Sequence, residues 1–459
     1  MKRTLCLLSV ILWAGGCFAQ IRLSSDVKKA VDAALGKDVT IVTQNIEKQK
    51  LELERKSVLT KYIPRVEATA LYGYLNSEGS LDLPTVQLPV SGWQLFSGAS
   101  GFSTEGQAFH GGVMAKAVLF SGGQIYNGAK ALAYKNEGTG YMMDLQNDVV
   151  IKDIILSFDQ LQMLRTAEKL IDESDKRLGK ESERVEKAIS LGLAIPYDRD
   201  KIKLAALELA SKRADVQNKQ DLLILKISQA TGLDTETVTQ LQHTVEPIVI
   251  PEDLGTENRN EIKALESFQK ASEFALKKEK GTLLPTLGAF GGYSYTSIFN
   301  AEIEAPLKLV DQTARLKMNS LTFNPTWMVG VAMKWELFSG FERRHKIEEA
   351  ELSAEQINRK LEDAREKLVL QLKKNRTNYE NMLLQVGISK QREKIARNNN
   401  EMAVKQYQAG LISVTDRLTA ENDIYKESLN NIETIIRQRE AAIETYQSAG
   451  SLNSFITIY

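Results

Sequence analysis

Cysteine is nearly missing from this chain of 459 residues: Cys6 and Cys17 are its only two. A chain cleaved after Ala19 keeps neither, which excludes a disulfide framework and a thiolate metal site. Histidine is almost as scarce. His110, His243 and His345 have no second ligand at a helical or strand metal spacing, so all three read as ordinary surface or barrel residues and no cofactor or metal is expected. A surplus of either charge is absent too, with Lys+Arg and Asp+Glu at 59 each, which argues against a nucleic-acid partner recruited by bulk charge. Past the amino terminus there is no apolar run of about 18 residues, so no transmembrane helix is available. The stretch GGQIYNGAK at 122–130 lacks the Gly-Lys-Ser/Thr ending of a phosphate loop. Nothing here reads as an enzyme.

What the chain does have begins with a secretory signal. Lys2 and Arg3 precede an apolar run from Leu5 to Ala14, and small residues lead to Cys17-Phe18-Ala19, so residues 1–19 read as a signal peptide. A second reading retains Cys17 as the acylated residue of a lipoprotein, since Gly15 and Gly16 precede it. An exported protein without an apolar helix is soluble, lipid-anchored or a β-barrel.

The mature chain is a tandem duplication, a pattern best sought before any fold is assigned. At an offset of 218, Gly112, Val113, Lys116 and the run LFSG at 119–122 fall on Gly330, Val331, Lys334 and the LFSG at 337–340. The same offset carries Glu183, Lys187, Gly192, Leu193, Asp198 and Arg199 onto Glu401, Lys405, Gly410, Leu411, Asp416 and Arg417. An offset of 221 places YIPRVEATALYGY (62–74) on LLPTLGAFGGYSY (283–295). The division is 20–245 and 257–459, joined by a connection at 246–256.

Both copies share a plan. A charged helical segment, Asp26 to Lys61 or Arg259 to Lys280, stops at Pro64 or Pro285, because proline lacks the amide hydrogen and disfavours helix before it. Strands are expected at about 65–76 and 109–120, then 286–296 and 327–338, around polar loops at about 75–107 and 296–326. Each second strand leads into a helical stretch free of proline, Gln124 to about Ser190 and Glu342 to about Gln408. At 1.5 Å per residue such a stretch is a rod of roughly 100 Å. The rods reverse at tips near 190–198 and 408–416. Their charged faces, as in ESDKRLGKESERVEK (173–187), suit a helix wet on both sides.

The strands alternate strictly. Trp327, Val329, Val331, Met333, Trp335 and Leu337 take one face, while Met328, Gly330, Ala332, Lys334 and Glu336 take the other. Val113, Ala115, Ala117 and Leu119 repeat this more weakly, as do Val66, Ala68, Ala70, Tyr72 and Tyr74, and Leu287, Ala289, Tyr293 and Tyr295. An apolar outer face with interfacial aromatics fits a membrane β-barrel. Two hairpins give four strands, fewer than the roughly eight that close a barrel, and open edges cannot face lipid. The hairpins must therefore be shared among copies of the chain.

In these features the chain resembles the TolC family of outer-membrane efflux proteins, over essentially all of 20–459. The features are the duplication, the two LFSG runs, the opening LSSDVKKAVDAAL (23–35), and the tips LGLAIPYD (191–198) and AGLISVTD (409–416). The resemblance implies an α+β membrane protein, a homotrimer whose twelve-stranded barrel in outer-membrane lipid continues into a periplasmic α-helical barrel. It implies the passive exit duct of a tripartite efflux or type I secretion system, fed by an inner-membrane transporter through a periplasmic adaptor, or membrane fusion, protein. It also implies a periplasmic constriction at Asp198, Tyr407 and Asp416, with Arg199 and Arg417 supplying other pairings there, and three copies of Asp416 forming an acidic ring. Ile412 and Thr419 depart from the family pattern, standing where its best-known member has an arginine and a second acidic residue. Leu191, Gly192 and Leu193, with Ala409, Gly410 and Leu411, match the tip motif that docks the adaptor. Asp198 and Asp416 also have a plain reading as charges favoured at helix starts. The competing class is a periplasmic or surface coiled-coil scaffold or adhesin, against which the alternating apolar stripe counts. A periplasmic adaptor is a third candidate, but its single hairpin would not give a tandem duplication with four barrel strands.

Overall fold

The computed structural model describes residues 21–87, 94–307 and 312–458. The expected signal peptide and Cys17 lie outside the described residues, as do the two segments at 88–93 and 308–311. In order, the elements are β1 (Ile21–Leu23), α1 (Ser25–Lys37), α2 (Val39–Leu59), β2 (Arg65–Gln87), β3 (Gln94–Phe120), α3 (Gln124–Ser190), α4 (Pro196–Thr231) and α5 (Thr235–Gln240). The second half brings α6 (Asn260–Lys280), β4 (Thr286–Leu307), β5 (Gln312–Lys334), α7 (Glu342–Gln408), α8 (Val414–Ala449) and β6 (Ile456–Ile458). Adding 218 to the bounds of α3 and α4 returns those of α7 and α8, and adding 221 to the first residue of β2 returns that of β4.

Two compact units divide the chain, each drawing on both halves: one holds Glu52–Ala133 and Lys270–Ala354, the other Met1–Leu51, Tyr134–Gln269 and Glu355–Tyr459. The first is built on a four-stranded antiparallel sheet in the order β2-β3-β4-β5, so β2 and β5 are its edges. The second is helical, with a small parallel pair of β1 and β6.

In the sheet unit the polar stretches expected as loops are largely strand. Pairing continues from Asn76↔Glu105 out to Leu83↔Gly98, and from Ala301↔Met318 to Leu307↔Gln312. A ladder needs only backbone donors and acceptors, so these residues can extend a hairpin already in register. The fourth strand stops early. Its pairing ends at Thr286↔Lys334 because Pro285 precedes the partner strand, and Trp335 to Leu337 lie beyond the ladder. The first helical segment is also split, since Asp38 ends α1 and caps the next helix by accepting from Ile41 N–H at 2.9 Å.

The strand-to-helix turn after β3 depends on glycine. Gly122 and Gly123 have φ of 62° and 79°, the left-handed region that costs little without a Cβ. Space requires glycine as well, since a Cβ on Gly122 would meet the Gly281 carbonyl oxygen at 2.2 Å, and one on Gly281 would meet the Gly122 oxygen at 2.4 Å. The two repeats approach backbone to backbone at this point.

In the helical unit the core gathers Ile21, Leu23, Val27, Ile155, Phe158, Ile443 and Tyr446. The connection between the repeats is pinned into it. Gln438 both donates to the Ile248 carbonyl (2.6 Å) and accepts from its N–H (3.0 Å), and the Tyr379 hydroxyl donates to the same carbonyl at 3.2 Å. His243 belongs to this core, contrary to its expected place as a surface or barrel residue. It is 5% exposed, its Nε2 lies 2.5 Å from Asp159, and Asp159 also accepts from Arg439 at 2.8 Å. Burial of the connection carries the imidazole inward, and a buried carboxylate flanked by two donors supplies its partner.

Removing Asp159 leaves Arg439 buried against one backbone carbonyl, that of Glu246. Asp159→Ala should therefore destabilise the protein by about 3–5 kcal/mol, the scale for breaking a buried ion pair, measured by denaturant unfolding in micelles. A loss within about 0.5 kcal/mol would show that the network does not support the core.

Asp148 adds a pH dependence. Its carboxylate accepts from Leu452 N–H (2.9 Å) and the Ser451 hydroxyl (3.2 Å), yet burial raises its pKa from 3.8 to about 6. A folded-state pKa above the unfolded one means stability is fully present below the unfolded value and is lost as pH rises through the folded one. Asp148→Asn keeps an acceptor without the charge. The variant should gain on wild type by on the order of 2–3 kcal/mol between pH 4 and pH 7.5, in paired unfolding curves.

Candidate functional site: the sheet face and the hairpin tips

The residues assigned to one face of each strand separately share one face of the assembled sheet. Antiparallel partners point to the same side, and the register runs Ala68↔Val113, Val113↔Tyr293 and Tyr293↔Trp327. The next row joins Val66, Ala115, Gly291 and Val329, and another joins Ala117, Ala289 and Val331. This face is unpartnered in the single chain: Trp327, Val329, Val331 and Met333 are 65–74% exposed. Tyr72, Phe109, Tyr293, Tyr295 and Trp327 cluster toward one margin, and Trp335, whose indole donates to the Leu283 carbonyl at 3.2 Å, marks the other. Eight residues separate Trp327 from Trp335, roughly 26 Å of strand, which matches the apolar band of a membrane barrel. Leu337, expected on this face, is exposed beyond the ladder.

The opposite face carries charged and hydroxyl side chains of the sheet, set among Met114, Val118 and Phe290. Arg65 pairs in register with Lys116, Glu67 accepts from Lys116 at 3.3 Å, and His110 bonds Thr296 at 2.8 Å. A sheet with one apolar and one polar side divides lipid from water.

The tips share one construction. Leu193 N–H donates to the Ala188 carbonyl (2.8 Å) and Gly192 N–H to that of Ile189 (3.0 Å), the paired bonds of a Schellman cap around Gly192 at φ 74°. With 218 added, Leu411 donates to Gln406 (2.9 Å) and Gly410 to Tyr407 (3.0 Å) around Gly410 at φ 71°. The caps satisfy the backbone and leave the side chains outside. Leu191, Leu193 and Leu411 are 72–79% exposed, and Ala409 is exposed beside them.

The two acidic residues at the reversals are not equivalent. Asp416 sits in a capping box, accepting from the Ser413 hydroxyl (2.7 Å) and N–H (3.2 Å) while Ser413 Oγ accepts from its own N–H (3.2 Å). These bonds hold its carboxyl below the usual carboxylate range. Asp198 has no such box, because the residue at its N-cap is Ile195 and Pro196 opens the helix. Among the described residues it therefore keeps a carboxylate free of the cap. Tyr407 lies half-buried near it, with burial first, then Glu181 and Asp198, raising its pKa.

Arg417 and Arg199 both make pairings within the single chain. Arg417 is 3% exposed, donating to Asn400 (3.0 Å) and Glu421 (3.0 Å), and Glu421 also accepts from Arg177 and Ser174, both at 2.8 Å. It is committed to packing α8 against its neighbours in the same chain. Arg199 pairs with the adjacent Asp200 at 3.1 Å, and the Thr419 hydroxyl bonds its own helix at Thr415. The Glu421 cluster had no sequence signal beyond a charged helix face, since its members come from three helices.

Known proteins share both the fold and part of the sequence. Residues 253–451 match the family model described as outer membrane efflux protein. Solved structures with the same fold include CusC, with a TM-score of 0.74, 13% identity and 96% of each chain covered. The outer membrane channel CmeC of Campylobacter jejuni matches at 0.70 and 13% identity, over 93% of this chain and 86% of that one. The open state of MtrE from Neisseria gonorrhoeae matches at 0.66 and 13%, over 95% and 92%. No characterised protein matches by sequence alone. The family match thus covers most of the second repeat, and the solved channels share the fold of the chain as a whole.

Ser413→Ala removes one half of the capping box. Amide exchange at Val414 to Arg417 should rise about five-fold, the equivalent of a typical cap, while the uncapped first tip stays unchanged. The carboxylate's contribution is present above the ordinary carboxylate range and lost as pH falls through its lowered value, so the difference between variant and wild type should shrink in acid to the part owed to Ser413 Oγ accepting from Asp416 N–H. Equal exchange at neutral pH would remove the cap from the account of Asp416.

Proposed function

We propose that three copies of this chain form an outer-membrane exit duct, conducting substrates that an inner-membrane transporter delivers through a periplasmic adaptor. The observation that carries the reading is the junction of β3 with β4, where one repeat's second strand pairs with the other repeat's first. The free edges β5 and β2 are the same two strands one repeat on. Two copies would give eight strands, whose interior side chains fill the space, whereas three give twelve and leave a lumen. In this assembly residues 20–245 and 257–459 act as two quasi-equivalent staves joined through 246–256, after removal of 1–19.

The within-chain ladder fixes the register between copies. Val113↔Tyr293 becomes Val331 opposite Tyr72 of the neighbouring copy, and Gly111↔Tyr295 becomes Val329 opposite Tyr74 of that copy. The helices support the same neighbour. Tyr425 is half-buried under Lys212, 4.7 Å from its ring, while its counterpart one repeat back, Leu207, is 62% exposed and awaits an equivalent cover. The tip leucines are the docking points for the adaptor, and the constriction lies at Asp198, Tyr407 and Asp416. Because Asp416 is held by its cap, Asp198 is the freer charge to face the pore.

Cysteines at Val331 and Tyr72 should give covalent dimers and trimers on oxidation of outer-membrane extracts, and Val331 with Ala70, two residues out of register, should not. A native mass of three chains with no cross-link would overturn the register, and a monomeric mass would overturn the shared barrel. In planar bilayers, Asp198→Asn should reduce cation preference more than Asp416→Asn. The reverse order would return the ring to Asp416.

A further inference from the structure

The polar side of the sheet holds a cavity of 760 Å³ where the strands meet the ends of the helices, within the sheet unit. Its charged lining is entirely cationic: Lys61, Arg65, Lys116, Lys278 and Lys334. Lys116 is neutralised by Glu67 at 3.3 Å and Lys278 by Glu279 at 2.8 Å, neither of which lines the cavity. Lys61, Arg65 and Lys334 have no ion pair among the described residues, so the cavity carries a surplus of three positive charges. Lys334 is the repeat counterpart of Lys116, and among the described residues it has no carboxylate partner like Glu67.

The floor is apolar. Phe290 lies across Gly330, its partner in register, so closely that a Cβ there would come within 2.9 Å of the ring. Met114, Val118 and Ile125 extend this surface. A flat ring backed by a glycine, with uncompensated cations at its margin, offers stacking area and charge within one small space. Like-charged side chains gathered without counterions repel one another, and an anion relieves that cost.

We propose that this cavity is a binding site for anionic amphiphiles, molecules with an aromatic or hydrocarbon body and a carboxylate, sulfonate or phosphate head. The head lies among Lys61, Arg65 and Lys334, and the body lies on Phe290. The proposal rests on the duct reading for its access, since the polar side of the sheet is then the lumen, and it makes the site a station for cargo of that class.

The test is equilibrium dialysis of naphthalene-2-sulfonate against the full-length protein in dodecyl maltoside micelles, with micelles alone as the blank and 2-naphthylmethylammonium as the charge-reversed probe. The sulfonate should bind with about tenfold preference over the ammonium, and the combined Lys61→Gln, Arg65→Gln and Lys334→Gln variant should abolish that preference. Phe290→Ala should weaken the sulfonate several-fold, and exchanging Lys61 and Lys334 for Arg, which keeps the charge, should retain it. Equal retention of the two probes, or a preference unchanged in the Gln variant, would overturn the site. Failure of the duct reading would appear separately, as no conductance from the unmodified protein in planar bilayers.

Discussion

Everything in the sheet unit answers to one constraint: among the described residues, the outward backbone N–H and C=O groups of β2 and β5 pair with no further strand, and hydrocarbon supplies no partner. A soluble protein can leave such an edge in water. This sheet presents Trp327, Val329 and Val331 on one side, so its edges enter the same apolar layer as its face. In the proposed assembly, pairing edge to edge among copies satisfies both, and the register of β3 on β4 supplies its template.

The duplication then explains why the two halves are similar but not interchangeable. At the strand-to-helix turn, Gly122 faces Gly281 with no room for a side chain. The counterparts one repeat on are Gly340 and Thr60, and Gly340 has open space around it in the single chain. At the tips the Schellman caps are superposable in their bonds, yet Ser413 gives one reversal a capping box that Ile195 cannot give the other. The two repeats therefore carry two kinds of reversal and two kinds of acidic residue.

Much of this was legible in the residues. Strict alternation placed Val66, Val113, Tyr293 and Val331 on one face because side chains on a strand alternate with a period of two, and assembly preserved that face. The helices beginning at Gln124 and Pro196 were marked by absence of breakers, by a glycine at the reversal and by proline in a first turn. Strand length was not legible. Gly-, Ser- and Thr-rich segments such as 98–104 read as loop by composition, and became ladder because a partner strand already lay in register. The burial of His243 and Arg417 was hidden as well. His243 depends on Asp159 of α3, and Arg417, although it bonds Glu421 of its own helix, is enclosed by Asn400 of α7 and by Ser174 and Arg177 of α3, which bond the same Glu421.

The repeat, the order of its elements, the face each strand offers and the places where each rod turns can all be read from the residues, because these follow from local period and local backbone chemistry. Tertiary structure decided the rest: which charges pair, which acidic residue is held, how far the hairpins extend, and which cations are left together over Phe290. These depend on distances between residues far apart in the chain, and no spacing along one strand or one helix encodes them.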